Sequence, residues 1–408
     1  MLEENRRDNH NRRIWIIILG AILVVLCAII IAVVWSYKTS APSTPGKQSA
    51  VIKKTEPVSV SSNVLFLGNT FSGRYIDDWS MASKLKYAYP FSRLDEFNRN
   101  QYNAWISGLE CPMAAAVHTT SAEMDSTLTF NCSPNYLPEA AKWFTAFTLA
   151  NNHTDNQGVA GFKETQTHLD KYGIQYFGNY DPTVTDDICE VISLPVTVQS
   201  DDKSQVDGKL PVALCGFHGV FQIPPASSVA VMAQYGKYMP VIAMPHMGAE
   251  YKSAPDQIKT DFYRSLIDGG ADMVLGDHPH WIQPSESYKG HLIVYSMGNF
   301  MFDQQDTPEV VRSAGINVVL KTSGDNSDLI SKWLALGSKC GSYKDDCLKL
   351  AQKNNLKKLN IKYQFGVVGT NDSDKIVKPV TPAQQADILN RLQWQSTMNG
   401  LQPPYSSL

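Results

Sequence analysis

The chain has 408 residues, of which 43% are hydrophobic and 18% charged, and its formal net charge is −3. This ordinary balance excludes a disordered chain. The slight acidic excess provides no basic surface of the kind that nucleic-acid binding requires, so nucleic acid is excluded as a partner. The length exceeds one average domain, although a single large α/β domain with appendages also accounts for it.

An uncharged apolar run covers residues 14–35 and predicts a transmembrane helix that stays attached as a signal anchor. At 1.5 Å per residue, a run of this length crosses a hydrocarbon core of roughly 30 Å. It ends without the small residues of a signal-peptidase site. Arg12 and Arg13 adjoin its start and favour residues 1–13 as a cytoplasmic tail. We therefore expect a single-pass protein of the cell membrane whose globular domain is extracytoplasmic.

Beyond the anchor, the composition divides the chain into a tether and a folded part. Residues 36–62 are rich in Ser, Thr, Pro and Lys and predict a flexible linker. Strand-like and helix-like segments then alternate through residues 63–380, which predicts an α/β domain with helices on the faces of a sheet. A helical insertion is expected at about residues 325–357. Residues 381–408 predict a C-terminal helix, running to about Met398, and a tail.

The cysteines support the outward orientation of the domain. Apart from Cys27 in the apolar run, they are even in number and lie beyond the anchor, which suits disulfides in an oxidising compartment. Six cysteines allow fifteen pairings, and buried free thiols are the alternative. Sequence order suggests the bonds Cys111–Cys132, Cys189–Cys215 and Cys340–Cys347.

Three short segments that carry histidine follow apolar, strand-like runs. They contain His153, His246, and the pair His278 and His280. Strand ends in an open α/β sheet converge on one crevice, and imidazole is the commonest metal ligand among side chains. A histidine taken alone is more often a hydrogen-bonded core residue, but the group of four predicts a metal site, or descent from one.

The candidate ligands are of mixed chemistry: imidazoles, the carboxylate of Glu110, and the carboxamides of Asn69 and Asn152. This mixture suits a divalent metal such as Mn, Fe or Zn, as one ion or two. His153 beside Asn152 is instead a candidate general acid that protonates a leaving alkoxide.

Several ordered blocks of the sequence resemble the CapA family, bacterial proteins associated with poly-γ-glutamate capsule synthesis. The resemblance covers roughly residues 63–322 and the short strand that leads to Pro379. It implies a calcineurin-like metallophosphoesterase fold, a β-sandwich flanked by helices. The matching blocks are residues 66–74, 109–112, 149–153, 246–251, 269–280 and 295–300.

Carried over by position, the resemblance implies a role for each site residue. It implies metal ligands at Asn69, Glu110, Asn152, His246, His278 and His280, and a catalytic or phosphate-contacting histidine at His153. Arg74 and Asn299 match positions that line the substrate site, with a structural role as the alternative.

Two positions depart from the family. Asn69 stands where the family typically has Asp, and Gly108 replaces the Asn of an Asn-Leu-Glu block. Because a carboxamide binds hard cations less well than a carboxylate does, we expect a weakened metal site. A catalytically weak or inactive protein is the alternative to an active enzyme.

These features together predict a membrane-anchored CapA-like protein of capsule or poly-γ-glutamate synthesis or export, with a metallophosphoesterase-like site. The expected partners are the membrane, membrane-bound polymer synthase or export subunits, and an anionic surface polymer or phosphoester substrate. One alternative is a metal-dependent phosphoesterase, a hydrolase of envelope or nucleotide phosphoesters. The other is an inactive scaffold or polymer-binding module of the same fold.

Overall fold

The computed structural model describes residues 55–341 and 344–408. The predicted cytoplasmic tail, the signal anchor at residues 14–35 and most of the linker lie outside the described residues. Within the described ranges, no helix is long and apolar enough to cross a membrane.

The strands of the described residues form one hydrogen-bonded network with helices packed against it. This mixed arrangement confirms the predicted α/β class and fits a calcineurin-like metallophosphoesterase fold. The strands are β1 (Pro57–Thr70), β2 (Ala104–Leu109), β3 (Ala146–Thr148), β4 (Gln175–Phe177), β5 (Cys189–Ser200), β6 (Gln205–His218), β7 (Val241–His246), β8 (Met273–Leu275), β9 (Gln283–Tyr288), β10 (His291–Ser296), β11 (Asn299–Met301), β12 (Arg312–Thr322), β13 (Ile361–Asn371), β14 (Lys378–Pro379) and β15 (Tyr405–Ser407).

Strand β1 joins the parts of this network. Its first half lies antiparallel between β5 and β12, and its second half runs parallel to β2 and β11. From β2 the parallel set continues through β3 to β4, and from β6 it continues through β7 and β8 to β10. The carboxyl ends of these parallel strands supply the loops that carry the predicted site residues.

Strand β1 begins earlier than its composition suggested. Residues 57–61, assigned to the flexible linker, pair with residues 197–200 of β5. The linker boundary at residue 62 was therefore wrong, because the Ser and Val residues of this segment alternate between the two faces of a strand. Farther along, Val64 and Phe66 pack into one hydrophobic core, whereas Leu65 packs into a second core.

The helices cover both cores. They are α1 (Arg74–Ala82), α2 (Ser121–Thr127), α3 (Leu137–Ala140), α4 (Gly158–Lys171), α5 (Ala226–Gly236), α6 (Gln257–Asp268), α7 (Ser327–Cys340), α8 (Lys344–Lys353), α9 (Pro382–Arg391) and α10 (Trp394–Gly400). Short 3₁₀ turns lie at Lys86–Phe91, Leu94–Phe97, Arg99–Gln101 and Pro134–Tyr136.

Helices α7 and α8 occupy the span of the predicted insertion. The expected single C-terminal helix is two helices, α9 and α10, because Gln393 has a φ of 54° and a left-handed residue interrupts a right-handed helix.

The three disulfides suggested by sequence order are confirmed. Cys189 and Cys215 are directly opposite each other on β5 and β6. Cys340–Cys347 joins α7 to α8, and Cys111–Cys132 joins the end of β2 to the loop after α2.

Candidate functional site

Polar side chains at the ends of the parallel strands meet in one crevice. Asn69 lies near the end of β1, and Glu110 directly follows β2. His246 is the last residue of β7 and pairs with Asp277 in the segment after β8. Each of these side chains is buried. The strand-end pattern in the sequence therefore corresponds to a real convergence in space.

His246 is the centre of the first contact group. Its Nε2 atom lies 2.9 Å from Asn152 Oδ1, 3.1 Å from His278 Nδ1 and 3.2 Å from Asn151 Nδ2. Burial lowers the pKa of His246 and of His278 well below the usual value for histidine. His278 lowers the pKa of His246 further, and His280 lowers the pKa of His278. Both rings are therefore neutral, which is the form in which imidazole binds a metal.

His280 is the centre of the second group. Its Nδ1–H donates to Asn299 Oδ1 at 2.8 Å, and its Nε2 lies 3.8 Å from Glu110 Oε1 and 3.7 Å from Glu250 Oε1. Burial lowers the pKa of His280, but the two carboxylates outweigh burial and raise it to about 9. Burial raises the pKa of Glu110 to about 7. Asn69 Nδ2 donates to Asn299 Oδ1 over 3.5 Å and so joins the group.

The backbone around these histidines is strained. His278 has a φ of 96° and His280 a φ of 60°, in the left-handed region that non-glycine residues rarely adopt. Such strain costs roughly 1–3 kcal/mol per residue and is concentrated at functional sites. The side chain of Tyr251 stacks on the His280 ring, with centroids 5.6 Å apart.

The polar atoms of the crevice show whether it could bind a metal. Among the residues that the structure describes, no three or more His, Cys, Asp or Glu side chains are arranged so that they could together hold a metal ion. However, Asn69 Oδ1 and Glu110 Oε2 are buried acceptors with no hydrogen-bond partner there. Unpartnered oxygens beside imidazoles match the donor chemistry of Mn, Fe or Zn, provided that His280 loses its proton on binding. The residues therefore fit a divalent metal, although their present contacts are mainly with one another.

A cavity of about 610 Å³ opens beside the second group, and Glu110, His153 and His280 are among the residues that line it. Its walls carry more acidic than basic side chains. The acidic ones are Glu110, Asp125, Glu250, Asp303 and Asp306, and the basic ones are Arg74, Lys375 and His280, whose pKa is about 9.

His153 forms part of the cavity wall. Its ring stacks on Phe130 with centroids 4.0 Å apart, and Nδ1–H donates to Asn156 Oδ1 at 3.0 Å. This tautomer leaves Nε2 as an acceptor. Burial lowers the pKa of His153 to about 4, so the ring is neutral near pH 7.

The two predicted lining residues both have structural partners. Arg74 donates from Nε to Asp303 Oδ2 at 2.7 Å and from Nη2 to Asp303 Oδ1 at 2.5 Å. Its positive charge is therefore paired, although the side chain lines the cavity. Asn299 accepts from His280 and donates to Gln304 Oε1 at 3.0 Å, so it orients the His280 ring.

The sequence pattern of the family described as bacterial capsule synthesis protein PGA_cap matches residues 63–193 and 226–304, about half of the chain. The chain belongs to this family. The resemblance to CapA proteins inferred from the sequence blocks is thus confirmed.

Two relatives of this PGA_cap chain match most of its length. It is 25% identical over 313 residues to the PGA biosynthesis protein CapA of Bacillus subtilis, covering 74% of this chain and 76% of the relative. It is 24% identical over 293 residues to the capsule biosynthesis protein CapA of Bacillus anthracis, covering 69% and 68% respectively. The crystal structure of TT1561 from Thermus thermophilus aligns with a TM-score of 0.34 at 11% identity, over 62% of this chain and 93% of that one.

Sequence reasoning missed several residues of the crevice. Asn151 contacts His246, Glu250 contacts His280, and Asp277 is a buried carboxylate beside them. The sequence did contain a signal for Asp277, because this residue follows a strand-like run and is adjacent to His278. Lys259 is buried nearby on α6 and carried no local signal.

Proposed function

We propose that this protein works in the synthesis or export of a capsule polymer of the poly-γ-glutamate type, anchored in the cell membrane by residues 14–35. We also propose that its crevice is a metallophosphoesterase-like site. Family membership and the functions named for the two CapA relatives support the first part. The expected partners are membrane-bound synthase or export subunits.

The convergence of imidazoles and unpartnered oxygens supports the second part. His246 and His278 are neutral, and His280 would lose its proton on binding a metal. His246, His278 and Asn152 would hold a divalent metal in the first contact group, and His280, Glu110 and Asn69 would hold one in the second. A bound Mn, Fe or Zn ion would polarise a phosphoryl oxygen and lower the pKa of a bound water.

The charge of the cavity supports the same assignment. Acidic side chains predominate on its walls, and Arg74 is already paired with Asp303. An anionic polymer or phosphoester would be repelled from such a surface. A divalent cation reverses the local charge, and so a metal is what makes this cavity compatible with an anionic substrate.

His153 is suited to handle a proton at the leaving group. Its ring is oriented by Phe130 and Asn156, with Nε2 not used by that hydrogen bond. The ring is neutral without substrate, and a phosphoester anion beside it would favour the protonated form that acts as a general acid.

A non-catalytic role in binding polymer is the second candidate. The contact of His246 with both Asn152 and His278 favours it, since these groups already have partners without a metal. The missing carboxylate at Asn69 favours it as well. In that case the crevice would be a structural remnant and the protein a scaffold for its membrane partners.

Metal content distinguishes the two candidates. The full-length protein would be purified in mild detergent without chelator, and Mn, Fe and Zn would be measured by elemental analysis. We expect near-stoichiometric metal that is lost in His278→Ala/His280→Ala and retained in the control His118→Ala/His168→Ala, which alters histidines outside the crevice. Absence of metal even after reconstitution would reject the metallophosphoesterase-like site.

Activity and cell physiology test the remaining parts. Protein loaded with metal is expected to hydrolyse aryl phosphate mono- or diesters, and His153→Ala is expected to lose this turnover while keeping the metal. Metal retained with no turnover of any ester would favour the binding module. Deletion of the gene should change the amount or length of the surface polymer, and an unchanged polymer would argue against the capsule role.

A further inference from the structure

Asp277 is a buried carboxylate without a hydrogen-bonded partner. Its side chain is among the buried groups of the fold, and neither Oδ1 nor Oδ2 accepts a hydrogen bond of normal geometry within the described part of the chain. Burial and the charge of Glu110 raise the pKa of Asp277 well above its usual value, and His280, the backbone N–H of His278 and Lys259 offset this rise only in part. The backbone of Asp277 is held firmly, since its N–H donates to Pro245 O at 2.9 Å and its carbonyl accepts from Met247.

The carboxylate of Asp277 faces Asn69 across a gap left by a glycine. A Cβ atom on Gly108 would lie 3.6 Å from Asn69 Oδ1 and 3.8 Å from Asp277 Oδ2. One small volume is thus bordered by two oxygens that both lack partners. Glu110 contributes a third unpartnered oxygen to the same crevice.

Such a gathering of acceptors requires a positive charge or a proton. Burying an oxygen without a donor costs roughly 1–3 kcal/mol in proteins, and burying an unpaired charge costs more. His280, whose pKa is about 9, and Lys259 are the cations of the protein that act on Asp277 through space. The ring nitrogens of His280 contact Asn299, Glu110 and Glu250 instead. Similarly, Lys259 Nζ donates to Gln283 Oε1 at 3.0 Å and lies over the Tyr263 ring at 5.2 Å, so its hydrogen bond is used elsewhere.

We propose that Asp277 is a carboxylate ligand of a divalent cation in this crevice and supplies the negative charge that Asn69 lacks. The inference rests on the proposed metal site and adds a ligand to it. With Asp277 and Glu110 the crevice offers two carboxylates, and carboxylate oxygens favour Mn²⁺ among the metals considered.

Titration with Mn²⁺ alone tests this assignment. The full-length protein in mild detergent would be stripped with chelator and titrated by isothermal calorimetry. Asp277→Asn keeps the shape and removes the charge, and we expect it to weaken Mn²⁺ binding by at least about tenfold, the scale on which ligand-sphere changes act. Lys259→Gln is the matched control, because it removes a buried charge near Asp277 but no oxygen ligand. The affinity of this variant for Mn²⁺ should not fall below that of the wild type.

A rescue variant separates charge from folding. Asn69→Asp in the Asp277→Asn background returns a carboxylate to the other side of the gap and should restore most of the lost affinity. If the double variant binds Mn²⁺ as weakly as Asp277→Asn does, Asp277 does not compensate for the missing charge at Asn69. Circular dichroism of each metal-free variant shows whether the fold is intact.

The outcomes also separate this inference from the proposed function. Binding of Mn²⁺ by Asp277→Asn with the wild-type affinity, together with its loss in His278→Ala/His280→Ala, would overturn the role of Asp277 and leave the metal site standing. Wild-type protein that binds no Mn²⁺ would overturn both.

Discussion

The pairing of Arg74 with Asp303 leads to a quantitative prediction for Asp303→Asn. The side chain of Asp303 is 1% exposed and that of Arg74 is 7% exposed, and two hydrogen bonds join them. The Arg74 guanidinium also lies 4.8 Å from the centroid of the Phe130 ring. Removing the carboxylate charge would leave a buried guanidinium without its main counter-charge.

The magnitude follows from the burial of both partners. Loss of one partner of a buried ion pair costs about 3–5 kcal/mol. Asp125 lies 3.5 Å from Arg74 Nη1, but its side chain is 54% exposed, so it compensates only in part. We therefore expect Asp303→Asn to lower the free energy of unfolding by about 3 kcal/mol, the lower end of that range.

Urea unfolding of residues 55–408, a compact unit with its own hydrophobic cores, measures this loss. Far-ultraviolet circular dichroism and tryptophan fluorescence should give coincident transitions. Asp328→Asn is the control, because it breaks the exposed ion pair with Lys332 and should cost less than about 1 kcal/mol. The double variant Arg74→Met/Asp303→Leu should be more stable than Asp303→Asn, since neither charge remains buried. A loss below about 1 kcal/mol in Asp303→Asn would refute the reasoning.

Three further predictions concern packing, pH and cross-links. Gly68→Ala should lose at least about 2 kcal/mol of stability in urea, because its Cβ would lie 1.7 Å from Gly298 O. Gly108→Ala should change stability by no more than about 1 kcal/mol. Equal losses of stability in the two variants would contradict a steric clash as the cause of the Gly68→Ala effect. Burial lowers the pKa of Lys259 to about 7, so the folded state binds fewer protons than the unfolded state between that pH and the ordinary lysine pKa. Wild-type stability should therefore rise relative to Lys259→Met as pH increases from 7 towards 10, and a constant difference across this range would refute a shifted pKa. Replacing Cys189 and Cys215 by Ala should cost about 3.5 kcal/mol, compared with about 2.4 kcal/mol for Cys340 and Cys347, because the first bond closes the longer loop. A larger loss for the Cys340 and Cys347 variant in chemical unfolding would exclude loop entropy as the cause.

The convergence of the strand ends was predictable because it depends on a local pattern. Each of His246, Glu110 and Asn152 follows an apolar run, and parallel strands bring such positions to one edge. The C-terminal helix start was equally local, since Thr381 and Gln384 form a capping box.

Other features depend on contacts between distant residues and could not be predicted. Arg74 and Asp303 are 229 positions apart, so nothing local indicated that the arginine was already paired. Burial of Lys259 depends on the packing of α6 against the sheet, whereas helical periodicity treats any lysine as surface. The start of β1 at Pro57 depends on pairing with β5, which composition does not reveal.

The Cys111–Cys132 bond has a practical consequence for anyone who prepares this protein. Cys111 directly follows Glu110. Cys132 lies two residues after Phe130, whose ring stacks on His153, and its sulfur accepts a hydrogen bond from Ser72 N at 3.3 Å. The disulfide thus joins two segments around the cavity, and the hydrogen bond from Ser72 attaches a third. A thiol reductant in the buffer, or production in a reducing cytosol, would release them together. Material made in that way would lack the cross-link that fixes these cavity walls, so export to an oxidising compartment should precede any binding or activity assay.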